Sequence, residues 1–204
     1  MSTSILSTKL FIPQLRPTLV QRPRLFKQLE AGQRGKLTLV SAPAGFGKTT
    51  VVSAWLHAQN IPAGWISLDE NDNDPVRFLS YFVAALQTVD NAIKGRGLEN
   101  IKSIQVGRES VERESFLIRL INEIAEITHD FALVLDDYHV ISNAAVQNIL
   151  TFFLEHQPPQ MHLILTTRAD PPWALAHFRV RQEIKELRIK VFALKGYWTN
   201  IAKY

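Results

Sequence analysis

Apolar residues in this chain follow two rhythms that alternate along its length. Leu37-Thr38-Leu39-Val40-Ser41 is a short, β-branched apolar run ending at a Pro/Ala/Gly turn, after which Val51, Val52, Trp55 and Leu56 recur at helical spacing. The pattern predicts strand, turn, helix. Gly64-Trp65-Ile66-Ser67-Leu68 predicts a second strand, and Asp74-Pro75 supplies an N-cap followed by proline at the first helical position. The helix so opened carries Phe78, Leu79, Phe82, Val83 and Leu86. About residues 90–110 are polar, with Gly95, Gly97 and Gly107, and predict an irregular connection. From Ser110, the positions Phe116, Leu117, Leu120, Ile121, Ile124 and Ile127 predict an amphipathic helix beside Glu112, Glu114, Glu123 and Glu126. Phe131 to Leu135 is a continuous apolar run, the mark of a strand buried on both faces of a parallel sheet. Ser142 is expected to cap a helix carrying Val146, Ile149, Leu150, Phe153 and Leu154, which Pro158-Pro159 stops before a strand over His162 to Thr166. Strands alternating with helices predict a three-layer α/β domain with a mainly parallel sheet.

Composition narrows the class. At 204 residues, with 46% hydrophobic and 21% charged, the chain is long enough for one self-sufficient core and too apolar for wholesale disorder. Zero cysteines exclude a disulfide framework, thiolate zinc sites, iron–sulfur clusters and a cysteine nucleophile. No apolar stretch approaches the ~20 residues of a membrane span, and Ser7, Thr8 and Lys9 interrupt the N-terminal apolar residues, so the expectation is a cytoplasmic protein with no membrane partner.

The net charge of +4 is unevenly spread. Residues 1–50 carry eight Lys/Arg against one acid, residues 51–178 eight against sixteen, and residues 179–204 seven against two. The basic residues lack aromatic interleaving and no recognition-helix pattern follows them, so direct DNA binding by this chain is not expected.

Ala42-Pro43-Ala44-Gly45-Phe46-Gly47-Lys48-Thr49, with Thr50 after it, matches the phosphate-binding loop in relaxed form, alanine replacing the usual first glycine. Such an octet arises by chance in about one or two chains per hundred of this length; its place between a strand and a helix makes it specific. Gly45 and Gly47 allow the backbone to bend so that successive N–H groups face a phosphate, assisted by the helix dipole. Lys48 would reach the β- and γ-phosphates of a nucleotide, and the Thr49 hydroxyl would ligate Mg²⁺. The plainer alternative is a glycine turn ending in a solvated lysine. Asp136-Asp137 follows the buried run and brings two carboxylates to the sheet edge where open α/β folds bind ligands. Asp136 is expected at the metal and Asp137 at the attacking water, against the alternative of an acidic pair capping a strand in solvent. Arg168 stands in the same position after the next strand, able to sense a γ-phosphate or to be a surface arginine.

Other constellations fail. Asp69, Asn71 and Asn73 imitate a calcium loop, but its sixth position is Asp74 instead of glycine and its twelfth is Ser80 instead of glutamate. His57, His129, His139, His156, His162 and His177 lack paired metal spacing and are assigned structural or solvent roles. No Gly-x-Ser-x-Gly elbow occurs. Trp55, Trp65 and the phenylalanines of the helices are expected in the core.

The stretches Thr8-Lys9-Leu10, Arg16-Pro17, Val20, Arg22-Pro23-Arg24-Leu25, Leu37 to Thr50, Trp65 to Glu70, Asp72 to Pro75, Phe78, Leu133 to His139 and Leu165 to Arg168 together resemble the nucleotide-binding domain of MalT-like regulators of the LuxR class, signal-transduction ATPases of several domains. The resemblance covers about residues 5–188. It implies a P-loop NTPase fold of AAA-like type with a five-stranded sheet, in which the strand before Arg168 lies between those of the phosphate loop and Asp136. It implies an ATP-dependent switch with an ADP-bound resting form and an ATP-bound active form, self-association, and transcriptional activation through other domains. Val20 and Arg22 would lie near the adenine, Lys48 and Thr49 at phosphate and Mg²⁺, Asp136 and Asp137 at metal and water, and Arg168 in a sensor position. The expected division is residues 1–36 as a segment contributing to the nucleotide site, 37–188 as the ATP-binding domain, and 189–204 as a tail that departs from the family, as a truncated or frameshifted product would. A weak ATPase is the expectation. A stand-alone ATPase or kinase and a nonfunctional fragment are the alternatives.

Overall fold

The computed structural model describes residues 5–15, 23–95, 109–173 and 175–189. Its helices are α1 (Pro23–Gly32), α2 (Lys48–Gln59), α3 (Pro75–Val89), α4 (Glu109–Ala125), α5 (Ala144–Glu155) and α6 (Leu175–Val180). Its strands are β1 (Leu37–Ser41), β2 (Ala63–Ser67), β3 (Phe131–Asp136), β4 (Met161–Thr167) and β5 (Ile184–Arg188). They form one sheet in the order β2-β3-β4-β1-β5 with every pairing parallel. The fold is thus the expected α/β type, and β4 lies between β1 and β3 as the family resemblance implied. The fifth strand, which no periodicity located, is the edge strand β5.

Side chains alternate across the pleat and feed two cores. Leu133 and Leu135 of β3, with Leu163 and Leu165 of β4, pack against α3, α4 and α5 on one face. Ala132, Val134 and Ile164 face the other way, onto Leu29 of α1 and Val51, Val52, Trp55 and Leu56 of α2. β3 and β4 are buried throughout, which is why β3 reads as a continuous apolar run, while β4 sets Leu163-Ile164-Leu165 between buried His162 and Thr166. Trp55 and Trp65 are fully buried, as expected.

Local chemistry sets the element ends. Asp74 caps α3 by accepting from the Arg77 N–H at 2.7 Å, with Pro75 at the first helical position. The start of α5 departs from expectation: Asn143, not Ser142, is its N-cap and accepts from the Ala145 N–H at 2.7 Å. Ser142 is held instead by Asn73, whose Oδ1 accepts from the Ser142 and Asn143 N–H groups at 2.8 and 2.9 Å. Helix α4 begins at Glu109; the polar stretch expected as an irregular connection falls largely on residues 96–108, outside those described.

The N-terminal segment is anchored on the β2 side of the sheet. A 3-10 turn, Ser7–Leu10, packs on β2 and α3, and the Leu6 N–H donates to the Tyr81 hydroxyl at 3.1 Å. Lys9 is buried there, its ammonium paired with fully buried Asp72 and, at 3.0 Å, with Asp69. Arg77 completes the cluster at 3.1 Å from Asp72. Helix α1 packs against α2 and β5 on the opposite side of the sheet. Among the described residues, no helix is long and apolar enough to cross a membrane.

Candidate functional site

Because all five strands are parallel, the turns leaving their C-terminal ends share one edge of the sheet. The loop of residues 42–47 connects β1 to α2 there. Gly45 and Gly47 adopt φ of 79° and 76°, left-handed values that L side chains rarely take, so the demand for glycine is conformational. Gly47 is the N-cap of α2 and, lacking a side chain, supplies no side-chain cap, so the first-turn N–H groups keep their capacity to bind an anion. Lys48 is buried, with Nζ donating to the carbonyls of Ala42 and Pro43 at 3.0 and 3.3 Å. Ala42 is buried beneath the loop, and Phe46 packs against the core on the α2 side of the sheet. Pro43, Ala44, Gly45 and Thr50 are exposed.

Thr49, on the first turn of α2, points its hydroxyl at the end of β3. Its Oγ1 donates toward Asp136 Oδ1 and Oδ2 at 3.1 and 3.0 Å. Two hard oxygen donors in contact form the kind of set that magnesium takes. Burial is the strongest influence on Asp136 and pushes its carboxyl above the ordinary range, while hydrogen bonds from Thr166 and Thr49 pull it back. A divalent cation would oppose the same burial penalty.

Asp137 leaves the strand with left-handed backbone, φ 58° and ψ 39°, which turns its carboxylate out of the core to 41% exposure. The conformation is held from the neighbouring strand: the Asp137 N–H donates to Thr166 Oγ1 at 3.0 Å, and that hydroxyl donates onward to Asp136 Oδ1 at 2.5 Å. Arg168 follows β4 directly and is exposed. His139, in the 3-10 turn after Asp137, lies with Nδ1 3.7 Å from Asp137 Oδ1, and the charges of Arg168 and Lys48 also bear on it.

The fold therefore brings Ala42 to Thr50, Asp136, Asp137 and Arg168 to one edge. Val20 and Arg22 lie outside the described residues. Thr166 joins the cluster without having been singled out, and His139, expected in a structural or solvent role with the other histidines, lies beside Asp137. For Thr166 the available signal was a hydroxyl at the end of an apolar run, one residue beyond the Leu135–Leu165 pair and hence level with Asp136. His139 offered only its spacing from Asp137.

A sequence profile of the AAA ATPase domain family matches residues 21–166. The HTH-type transcriptional regulator MalT of Yersinia enterocolitica is 36% identical over 189 residues, which are 93% of this chain and 20% of that protein. MalT of Serratia proteamaculans is 36% identical over 183 residues, 90% of this chain and 20% of that protein. The chain thus spans about a fifth of the length of the curated relatives it matches. Among solved structures, similarity extends over 81% of this chain to C. elegans PCH-2, covering 41% of that chain with 11% identity and a TM-score of 0.43. It also extends to Drosophila ORC bound to AT-rich DNA and Cdc6, over 81% of this chain and 51% of that one, with 12% identity and a TM-score of 0.48.

Proposed function

This chain belongs to the AAA ATPase domain family, and from that premise we propose that it is the ATP-binding switch domain of a MalT-like regulator, holding ATP with Mg²⁺ or ADP and hydrolysing ATP slowly. The observation that carries the reading is the meeting of Thr49 and Asp136 at the start of a helix entered through two left-handed glycines.

In this reading, the loop N–H groups and the α2 dipole hold the phosphates, and Lys48 exchanges its carbonyl partners for β- and γ-phosphate oxygens. Thr49 and Asp136 hold Mg²⁺, which neutralises phosphate charge when bound. Asp137 orients water and accepts its proton, and Arg168 reads the γ-phosphate. Val20 and Arg22 serve the adenine. Slow hydrolysis is supported by the exposure of Arg168 and of 41% of the Asp137 side chain, because water left at the reacting centre weakens each electrostatic contact there. DNA contact and self-association belong, in this reading, to parts of the longer relatives that this chain does not match.

Calorimetry with ATP·Mg²⁺ and ADP tests the reading. Lys48→Ala removes a charge-assisted contact of roughly 1.5–3 kcal/mol and is expected to lower ATP affinity about ten- to hundredfold. Equal affinity of the two forms takes Lys48 out of the site, and turnover on the order of 10 s⁻¹, ordinary for an enzyme, replaces the switch with a working ATPase.

A further inference from the structure

His139 is set apart from the other histidines by its position. The 3-10 turn Tyr138–Val140 brings it back toward the Asp137 that precedes the turn, and its Nδ1 is buried with no hydrogen-bond partner among the described residues. Among the described residues, the acidic oxygen near it is Asp137 Oδ1 at 3.7 Å, too long for a hydrogen bond and short enough to become one by rotation of the half-exposed carboxylate. Catalytic hydrogen bonds are often long before ligand binds and tighten afterwards. The turn itself is fixed: Asn73 Nδ2 donates to the Val140 carbonyl at 2.9 Å while its Oδ1 holds Ser142 and Asn143. The imidazole is therefore carried on a braced segment and the carboxylate is the partner free to adjust. Burial, Arg168 and Lys48 all disfavour the imidazolium, outweighing Asp137, so the ring enters the site as a neutral donor.

Resting on the nucleotide-site reading above, we propose that His139 is the positioning residue of Asp137: with its proton on Nδ1, it donates to the Asp137 carboxylate when nucleotide fills the site and holds that carboxylate clear of direct repulsion with the terminal phosphate of a nucleoside triphosphate. A diphosphate carries no such group, so the contact favours ATP over ADP.

The test is equilibrium dialysis of the 204-residue chain with labelled ATP and labelled ADP, each with Mg²⁺. His139→Phe keeps a ring and removes both nitrogens; His139→Asn loses the ring and keeps an amide donor near the Nδ1 position. The expected result is a three- to tenfold weaker ATP affinity for His139→Phe with ADP affinity unchanged, and recovery to within about twofold of wild type for His139→Asn, on the scale of one hydrogen bond to a charged group. In an Asp137→Asn background, the His139→Phe effect on ATP should vanish, since the charge being positioned is gone. If His139→Phe matches wild type, or His139→Asn is the weaker of the two, the residue fills space and the proposal is overturned. Parallel losses of ATP and ADP affinity also overturn it. Failure of the wild-type chain to hold either nucleotide overturns the underlying reading instead, and this proposal with it.

Discussion

His162 shows what a buried histidine does when it is a piece of core. Its two nitrogens are both used, Nε2 accepting from the Thr38 hydroxyl at 2.9 Å and Nδ1–H donating to the Gly35 carbonyl at 2.8 Å. Burial lowers its pKa to about 4 from 6.5, against a smaller opposing effect of the Gly35 bond. A depressed basic group leaves the unfolded chain binding the extra proton, so stability is intact above pH 6.5 and is lost as pH falls toward 4. The loss should reach about 3 kcal/mol. Unfolding free energies from urea titration at pH 7 and pH 4.5 should differ by most of that amount in wild type, and by clearly less in His162→Gln. At Asp137, asparagine tolerates the left-handed backbone but accepts a proton far less readily, so Asp137→Asn should spare binding and slow single-turnover cleavage about a hundredfold or more. Unchanged cleavage would assign the base elsewhere. The phosphate loop was legible at this scale because its chemistry is local to eight residues. The hydroxyl of Thr166 and the ring of His139 were not, because their roles depend on strand register and on a turn whose direction is set by Asn73, sixty-six residues before His139 in the chain.

Elements that are buried on both faces declare themselves in sequence, whereas edges do not. β3 was legible as an unbroken apolar run, and β4 as a strand over His162 to Thr166 with an apolar centre. β5 reads Ile-Lys-Glu-Leu-Arg, with Leu187 alone fully turned into the core, and its charges suit an edge that must resist pairing with another chain. Helix starts follow the same division. Asp74-Pro75 is unambiguous, while Ser142-Asn143 offers two capping side chains in sequence and only the backbone decides between them. Asn143→Ala should therefore cost about 1 kcal/mol by urea unfolding, and Ser142→Ala close to nothing. The reverse ranking would restore the expectation from sequence.

Across the whole molecule, the charge asymmetry of the chain gave no hint that its N-terminal segment would reach the sheet through a buried lysine. Fully buried Asp72 serves three partners: the Lys9 ammonium, the Arg77 guanidinium and the Asp69 N–H at 2.8 Å. Asp72→Ala leaves the buried Lys9 ammonium with half-exposed Asp69 as its remaining acidic partner and should lower stability by about 3 kcal/mol, the lower end of the scale for breaking a buried pair. Calorimetric melting of the variant within a degree or two of wild type would show that the segment does not depend on this anchor.

The sheet order has a consequence for synthesis. Among the described residues, β1, which launches the phosphate loop, pairs with β4 and β5 and with no other strand, and both of these follow β2 and β3 in the chain. While the ribosome has delivered β1, β2 and β3 alone, β2 and β3 can zip together but β1 has no neighbour to hold it. The sheet edge that sets Thr49 beside Asp136 is therefore completed late, once β4 has been made and can join β1 to β3.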